Sequence, residues 1–367
     1  MLSINIKNTI NSDIIIDNFI EKNTIASLIA TYCSNNHLII IADSNLQKTT
    51  IDNILKNLTN NAFIVNIFYI KAKETNKSID YLIKLTNKLS KISFNKNTTI
   101  VAIGGGMVLD LVGFVASIVM RGLDLIYIPT TLLAMVDSSI GGKNGINSAL
   151  GKNSLGNFYQ PKAILIDSSF LQSLPKVQLY SGFFECLKYG ILFDRDFFNY
   201  LIKIQHLFIN GEIINYPDIL NNIIIKSCKF KVDVVNFDEK EEKNHRQLLN
   251  LGHTLGHALE SYTNYKKLLH GFAVGIGIYY IAKLSNQLNL LSNTETDLIT
   301  SSIDIKYLSK TLPKIDIIKL IKLMQKDKKN TNDGLNLVLV NTIGNCQLKK
   351  HISIPLVQSF LQKEFKN

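Results

Sequence analysis

Along the first half of the chain, short runs of β-branched and aliphatic residues alternate with stretches whose apolar positions recur every three or four residues. The runs are His37 to Ala42, Phe63 to Tyr69, Thr98 to Ile103, Leu125 to Ile128 and Ala163 to Ile166, each of strand length. Strands separated by helical patterns predict a parallel sheet with crossover helices. After Ser168 the period changes. Helix-period stretches run from Phe183 to Leu207, Pro217 to Val235, Leu248 to Tyr262 and Gly271 to Leu288, so the second half is expected to be mainly helical. A late exception, Asn336 to Val340 and Gln347 to His351 around Thr342-Ile343-Gly344-Asn345, predicts a small hairpin. No internal repeat stands out, and no Gly-, Pro- or Ser-rich linker separates the halves by more than a hinge.

With 367 residues, 46% hydrophobic and 19% charged, the chain has the composition of a globular protein with room for two domains. The net charge of +11 raises the question of nucleic acid. The lysines, however, are scattered among Ile and Asn instead of gathered with aromatics on one stripe, so no nucleic-acid partner is expected. The wealth of Ile, Asn and Lys without any Trp reads as AT-rich codon usage, and anionic small substrates remain compatible with it. Cys33, Cys186, Cys228 and Cys346 lie far apart without a CxxC pair, which argues against a cysteine zinc site or a dense disulfide framework. A reducing cytoplasm is the expected location. The most apolar runs are interrupted by Asp110 or Lys283, short of the ~20 residues of a spanning helix, and no signal-peptide pattern opens the chain, so no membrane partner is expected.

The candidate chemistry begins where the run Thr98 to Ile103 meets Gly104-Gly105-Gly106, followed by a helical pattern that carries Asp110. Glycines between a strand end and a helix N-terminus offer bare amides and a helix dipole to an anion, with a dinucleotide pyrophosphate as the natural guest; a plain tight turn is the alternative. Asp43 and Asn45 close an earlier strand where a ribose-binding carboxylate would stand, or where a turn former would. Glu74 and Lys77 fit either a nucleotide-facing pair or a solvated face. Between Pro129 and Pro161 the chain concentrates Gly, Lys, Asn and Asp: Thr130, Thr131, Asp137, Lys143, Lys152 and Asn153 sit in a stretch that reads as loop-rich. Lysines preceded by glycine suit phosphate and carboxylate groups, although GxxxxGK[ST] is absent.

His253 and His257, four residues apart, share one face of a predicted helix, and His270 follows just before Gly271. Neutral imidazoles favour divalent zinc, and Glu185 is a candidate oxygen ligand on a separate segment. Spacing alone assigns metal to His253 and His257. Thr254 breaks HExxH, which excludes a zincin.

The blocks Gly104-Gly105-Gly106, Arg121-Gly122, Pro129-Thr130-Thr131, Val136-Asp137 through Lys143, Gly151-Lys152-Asn153, Phe158 through Pro161, Glu185 through Lys188, Asn250 through His253, and His270-Gly271 stand in an order that resembles the 3-dehydroquinate synthases. The likeness is strong from Gly104 to Gly277 and holds in outline elsewhere. It implies an α/β Rossmann-like NAD-binding domain over residues 1–170, followed by a mainly α-helical zinc- and substrate-binding domain over 171–367. The implied NAD side comprises Asp43, Asn45, Glu74, Lys77, Gly105, Gly106, Asp110, Thr130, Thr131, Lys143 and Lys152, with Phe170 and Ser173 at the junction. The implied substrate side comprises Arg121, Asp137, Lys143, Asn153, Lys188, Lys231, Arg246, Asn250, His257 and Lys328. Lys143, Lys188, Glu241, Arg246, Asn250 and His257 carry the catalysis. The resemblance moves the metal ligands to Glu185, His253 and His270 and gives His257 to the substrate.

The implied reaction converts 3-deoxy-D-arabino-heptulosonate 7-phosphate to 3-dehydroquinate and phosphate, the second step of the shikimate pathway. It proceeds by transient oxidation with NAD, phosphate elimination, re-reduction and aldol closure, with zinc as Lewis acid and cobalt as its substitute. The small phosphorylated sugar acid is the expected partner, and a homodimer the expected assembly. Three positions depart from the family pattern: Leu109 replaces a glycine, Phe272 an acidic residue and Phe184 a small one. An extra residue between Lys231 and Arg246 leaves Glu241 and Glu242 as alternatives for the acid–base glutamate, with Glu241 favoured by alignment from Asp238-Glu239. Competing readings are a metal-dependent polyol dehydrogenase and a cyclase acting on another sugar phosphate.

Overall fold

The computed structural model describes residues 2–6, 11–149, 151–326 and 334–365. The chain forms two compact units, one made of Met1–Pro175 with Glu212–Lys240 and the other of Lys176–Gly211 with Glu241–Asn367.

In chain order the first unit contains β1 (Leu2–Ile6), β2 (Ser12–Ile16), α1 (Ile25–Tyr32), β3 (His37–Asp43), α2 (Lys48–Asn60), β4 (Ile64–Ile70), α3 (Ile79–Leu89), β5 (Thr99–Gly104), α4 (Gly106–Ile118), β6 (Asp124–Pro129), β7 (Lys143–Ser148), β8 (Gly151–Phe158) and β9 (Ala163–Ile166). Seven strands make one sheet in the order β1-β2-β9-β6-β5-β3-β4, parallel except for the β1–β2 pair. Four of the apolar runs found in the sequence are the inner strands β3, β5, β6 and β9, while Phe63 to Tyr69 forms the half-exposed edge strand β4. Leu38 to Ala42 and Ile100 to Ile103 are buried on both faces, as strands covered by helices on each side must be. The chain runs from β3 outward to β4 and then crosses back to β5, so the strand order reverses between β3 and β5. At such a switch point the loops after neighbouring strands diverge and leave a crevice at their carboxyl ends. Asp43 ends β3, and Gly104 ends β5.

The stretch from Pro129 to Pro161 is more ordered than its composition suggested: a helical turn at Ala134–Ser138 precedes the antiparallel β7–β8 pair. Gly145 faces Gly156 across that pair, and a Cβ on Gly145 would stand 2.6 Å from the Leu155 carbonyl oxygen. The glycines are there so that two backbones can touch.

In the rest of the chain come α5 (Lys176–Phe193), α6 (Arg195–Asn210), α7 (Pro217–Phe237), α8 (His253–Tyr262), α9 (His270–Gln287), α10 (Asn293–Ser301), α11 (Ile305–Ser309), α12 (Ile317–Gln325), β10 (Leu335–Thr342), β11 (Asn345–Ile352) and α13 (Ile354–Glu364). The helix-period stretch from Phe183 to Leu207 is two helices. They break at Asp194, whose side chain caps α6 by accepting from Phe197 N at 2.8 Å. The late hairpin is present as β10–β11. Helix α7 packs within the first unit: Lys231 reaches Asp137, and the Cys228 thiol donates to the Met135 carbonyl at 3.4 Å. A single cut at 170/171 places that helix with the second domain, whereas its buried face of Leu220, Ile224, Cys228 and Lys231 belongs to the first core. Among the described residues no helix is long and apolar enough to cross a membrane.

Candidate active site

In the first unit, the turn at the end of β5 is as tight as its glycines imply. A Cβ on Gly104 would stand 2.7 Å from Val108, and one on Gly106 2.6 Å from the Ser138 hydroxyl. Gly105 caps α4 without a side chain, leaving the first amides of a thirteen-residue helix to face outward. Leu109 is fully buried in the core, and its carbonyl accepts from the Tyr127 hydroxyl at 3.1 Å. The close approach of α4 is made one turn later, at Gly113, where a Cβ would fall 2.6 Å from Asn144 Cγ.

Lys77 is not on a solvated face. Its side chain is 3% exposed, with the ammonium 2.5 Å from Asp110 Oδ2 and hydrogen-bonded to Asn153 Oδ1. Burial raises the Asp110 pKa, and the Lys77 ammonium opposes that rise. Around them Asn147 donates to Glu74 Oε1 at 2.8 Å, Asn153 N donates to Asn147 Oδ1 at 2.9 Å, and Asn147 N donates to the Lys77 carbonyl at 2.8 Å. Glu74, Lys77, Asp110 and Asn153 thus form one polar network hung on β7–β8 and α4. Asp43 Oδ1 accepts from both the amide and the side chain of Asn45 at 3.0 Å, closing the turn that follows β3. Thr130 is buried, with its amide on the Gly104 carbonyl at 3.0 Å, and Thr131 accepts from Ala134 N at 3.2 Å. Phe170 is buried, and its carbonyl accepts from the Ser173 hydroxyl at 3.2 Å.

Of the anion-handling candidates in this unit, Asp137 and Lys231 form a tight pair: Lys231 Nζ lies 2.5 Å from Asp137 Oδ1 and 2.6 Å from its carbonyl. Arg121 and Lys143 are exposed and Lys152 half-buried. Arg121 sits at φ 62°, in the left-handed region, on the turn between α4 and β6. Gln160 donates to Glu239 at 2.8 Å, which ties Glu239 to the strand side. Lys328 lies outside the described residues.

The second unit gathers the metal candidates. Glu185 and Lys188 stand on one face of α5, both wholly buried, with Lys188 Nζ 2.5 Å from Glu185 Oε2. The other oxygen, Glu185 Oε1, lies 3.5 Å from His253 Nε2 and 3.6 Å from His270 Nε2. Two donors each about 2.1 Å from a tetrahedral zinc stand roughly 3.4 Å apart, so Glu185 Oε1 lies at the spacing of a shared ion from each of the two imidazole nitrogens. His253 opens α8, and its Nδ1 is paired with the Leu251 carbonyl at 3.1 Å; His270 opens α9, with Nδ1 3.0 Å from Glu260 Oε2. Each Nδ1–H is therefore directed to an oxygen, which leaves the Nε2 lone pairs facing Glu185. Burial, reinforced by Lys188 and opposed by Glu185, lowers the His253 pKa to about 3. That imidazole is neutral at physiological pH, the form a metal needs.

His257 joins the same cluster. Ligand atoms of His253, His257 and His270 all lie within 4.8 Å of one another, and the His257 ring is stacked on that of His270 with centroids 5.8 Å apart. Spacing alone found two of these histidines. Nothing in the spacing pointed to Glu185, ~70 residues upstream and brought in by α5. Arg246 is buried, Asn250 donates to the Gln247 carbonyl at 3.0 Å, and Glu241 is half-buried at φ 61° while Glu242 is exposed. The departures Phe184 and Phe272 pack on each other edge to face at 6.0 Å, within a group that includes Tyr180 and Tyr307. One aromatic pair thus occupies the positions where the family pattern has a small residue and an acid.

Fold and site together define a class, the dehydroquinate synthase-like fold: a doubly wound α/β unit with a glycine turn at its switch point, and a helical unit built round a histidine–carboxylate cluster. A solved structure of this shape is ValA, 2-epi-5-epi-valiolone synthase from Streptomyces hygroscopicus subsp. jinggangensis, with NAD+ and Zn2+ bound; it matches 97% of each chain with a TM-score of 0.87 at 21% identity. Residues 67–181 match the model of the 3-dehydroquinate synthase N-terminal domain and residues 182–330 that of the C-terminal domain. The chain belongs to the 3-dehydroquinate synthase family. It is 36% identical over 340 residues to the 3-dehydroquinate synthase of Acidithiobacillus ferrooxidans, covering 92% of this chain and 91% of the relative, and 38% identical over 358 residues to that of Pelagibacter ubique, covering 96% and 95%.

Proposed function

We propose that the chain is an NAD- and divalent-metal-dependent 3-dehydroquinate synthase, a carbon–oxygen lyase that turns 3-deoxy-D-arabino-heptulosonate 7-phosphate into 3-dehydroquinate and phosphate. The observation that carries the reading is the meeting of Glu185 Oε1 with the Nε2 atoms of His253 and His270 at 3.5 and 3.6 Å, in a chain whose family acts on such a substrate. Glu185, His253 and His270 hold zinc, for which cobalt substitutes, and His257 faces the substrate. Asp43, Asn45, Glu74, Lys77, Gly105, Gly106, Asp110, Thr130, Thr131, Lys143, Lys152, Phe170 and Ser173 hold NAD. When bound, the dinucleotide accepts and returns hydride and the metal withdraws electron density from a ring hydroxyl.

The residues of the chain do the rest. Lys188, neutralised by Glu185 in the resting protein, offers its ammonium to the carboxylate or hydroxyls of the substrate. Arg121, Asn153, Arg246, Asn250 and Lys328 grip phosphate and carboxylate, so that successive steps occur on an aligned molecule. Asp137 and Lys231 orient each other, and Lys143 serves both ligands. His257 and Glu241 move protons on and off substrate oxygens and carbon. The working form is a homodimer in the cytoplasm; four free cysteines suit a reducing compartment.

The test incubates purified protein with NAD, zinc and 3-deoxy-D-arabino-heptulosonate 7-phosphate, following phosphate release and absorbance of the reduced cofactor together. Phosphate should appear over many turnovers with no net NADH. NADH accumulating in step with substrate loss overturns the synthase reading and favours a dehydrogenase. Replacing His270 by Ala should abolish metal binding, while His257→Ala should retain it and slow turnover.

A further inference from the structure

We propose that Glu260 is the positioning residue of the metal cluster: it fixes the tautomer and orientation of His270. The inference rests on the reading of His270 as a ligand. Glu260 lies on α8, seven residues and two turns from His253, and is 4% exposed. A buried carboxylate is costly unless something recompenses its charge. Its neighbour here is an imidazole: Oε2 stands 3.0 Å from His270 Nδ1.

The two ligand histidines are held differently: His253 pairs its Nδ1 with the Leu251 carbonyl at 3.1 Å, whereas the Nδ1 of His270 meets a buried carboxylate. A carboxylate accepting Nδ1–H also makes the opposite nitrogen a stronger donor than a carbonyl does. His270 sits at the first position of α9, and Glu260 on α8 holds its ring toward Glu185.

The test measures zinc affinity of the whole protein by competition with a chromophoric chelator, for the parent, Glu260→Ala, Glu260→Gln and His270→Ala. Glu260→Ala should bind zinc about 10–100-fold more weakly. Glu260→Gln should fall between, because its amide oxygen still accepts Nδ1–H but brings no charge, and the visible bands of the cobalt-loaded variants should shift. Folded Glu260 variants whose zinc affinity stays within about twofold of the parent overturn the proposal. So does a lowered melting temperature of the metal-free protein without a change in zinc affinity, the mark of a merely structural role. If Glu260→Ala does not fold, Glu260→Gln decides. If His270→Ala itself keeps the parent's affinity, the ligand reading has failed instead.

Discussion

Gly271 offers the sharpest test of how the histidine cluster is built. It follows His270 at the start of α9, and its amide donates to the Ser181 hydroxyl of α5 at 3.1 Å. A Cβ placed on Gly271 would stand 2.6 Å from Ser181 C and 2.8 Å from Ser181 Oγ, inside contact with a backbone that cannot swing aside. In Gly271→Ala the two helices must part by roughly an ångström. Overpacking of this kind costs about 1–3 kcal/mol, and the strained hydrogen bond adds about 1 kcal/mol. At ~2–4 °C per kcal/mol for a unit of this size, the melting temperature should fall by roughly 5–15 °C. The same displacement carries His270 away from Glu185. Metal sites tolerate only about 0.5 Å of misplacement, so zinc affinity should drop at least about tenfold. Calorimetry with zinc and with a chelator, and chelator competition on the folded protein, measure the two effects. A melting temperature within ~1 °C of the parent and an unchanged zinc affinity would refute the reasoning.

Lys77→Met leaves Asp110 buried beside an apolar side chain and should destabilise by about 3–5 kcal/mol. The carboxyl pKa, already raised by burial, rises further, so the loss is smallest below the unfolded aspartate value of about 3.9 and grows as pH increases; urea titrations at pH 4 and 8 with equal losses would contradict it. Phe272→Glu, which restores an acid to that position, puts a carboxylate against Tyr180, Phe184 and Tyr307 and should cost ~3 kcal/mol or more; a variant as stable as the parent in denaturant would show the cluster to be open to water. Stripping metal with a chelator should remove about 2.7 kcal/mol relative to protein in free zinc at 100 times the dissociation constant. Coincident melting curves with and without zinc would contradict the ligand set.

The inner strands were legible because Leu38 to Ala42 and Ile100 to Ile103 are buried on both faces, and double burial writes itself as an unbroken apolar run. The β7–β8 pair was not legible. Lys143 to Ser148 and Gly151 to Phe158 hold together by backbone contact at Gly145 and Gly156, which leaves no hydrophobic alternation to find. The β1–β2 edge escaped for a related reason: Leu2-Ser-Ile-Asn-Ile is half exposed and blends with its polar surroundings. In the helical unit, the i, i+4 spacing of His253 and His257 was visible, but the face they share is geometry within one helix, whereas Glu185 and His270 arrive on α5 and α9. No local pattern records such a meeting. The role of Glu260 lay outside any motif because it depends on one side-chain distance. The nature of Lys77 turned on burial, which charge patterning alone cannot distinguish from a solvated face.

The path of α7 has a consequence for how the protein is made. The chain leaves the first unit after Pro175, builds α5 and α6 elsewhere, and returns only for Glu212–Lys240. A ribosome must therefore release two foreign helices before Lys231 can neutralise Asp137, and until then the α/β core waits with one wall missing. A fragment ending at residue 170 should be a sticky, half-finished species. Any attempt to express the nucleotide half alone must splice 212–240 back onto it.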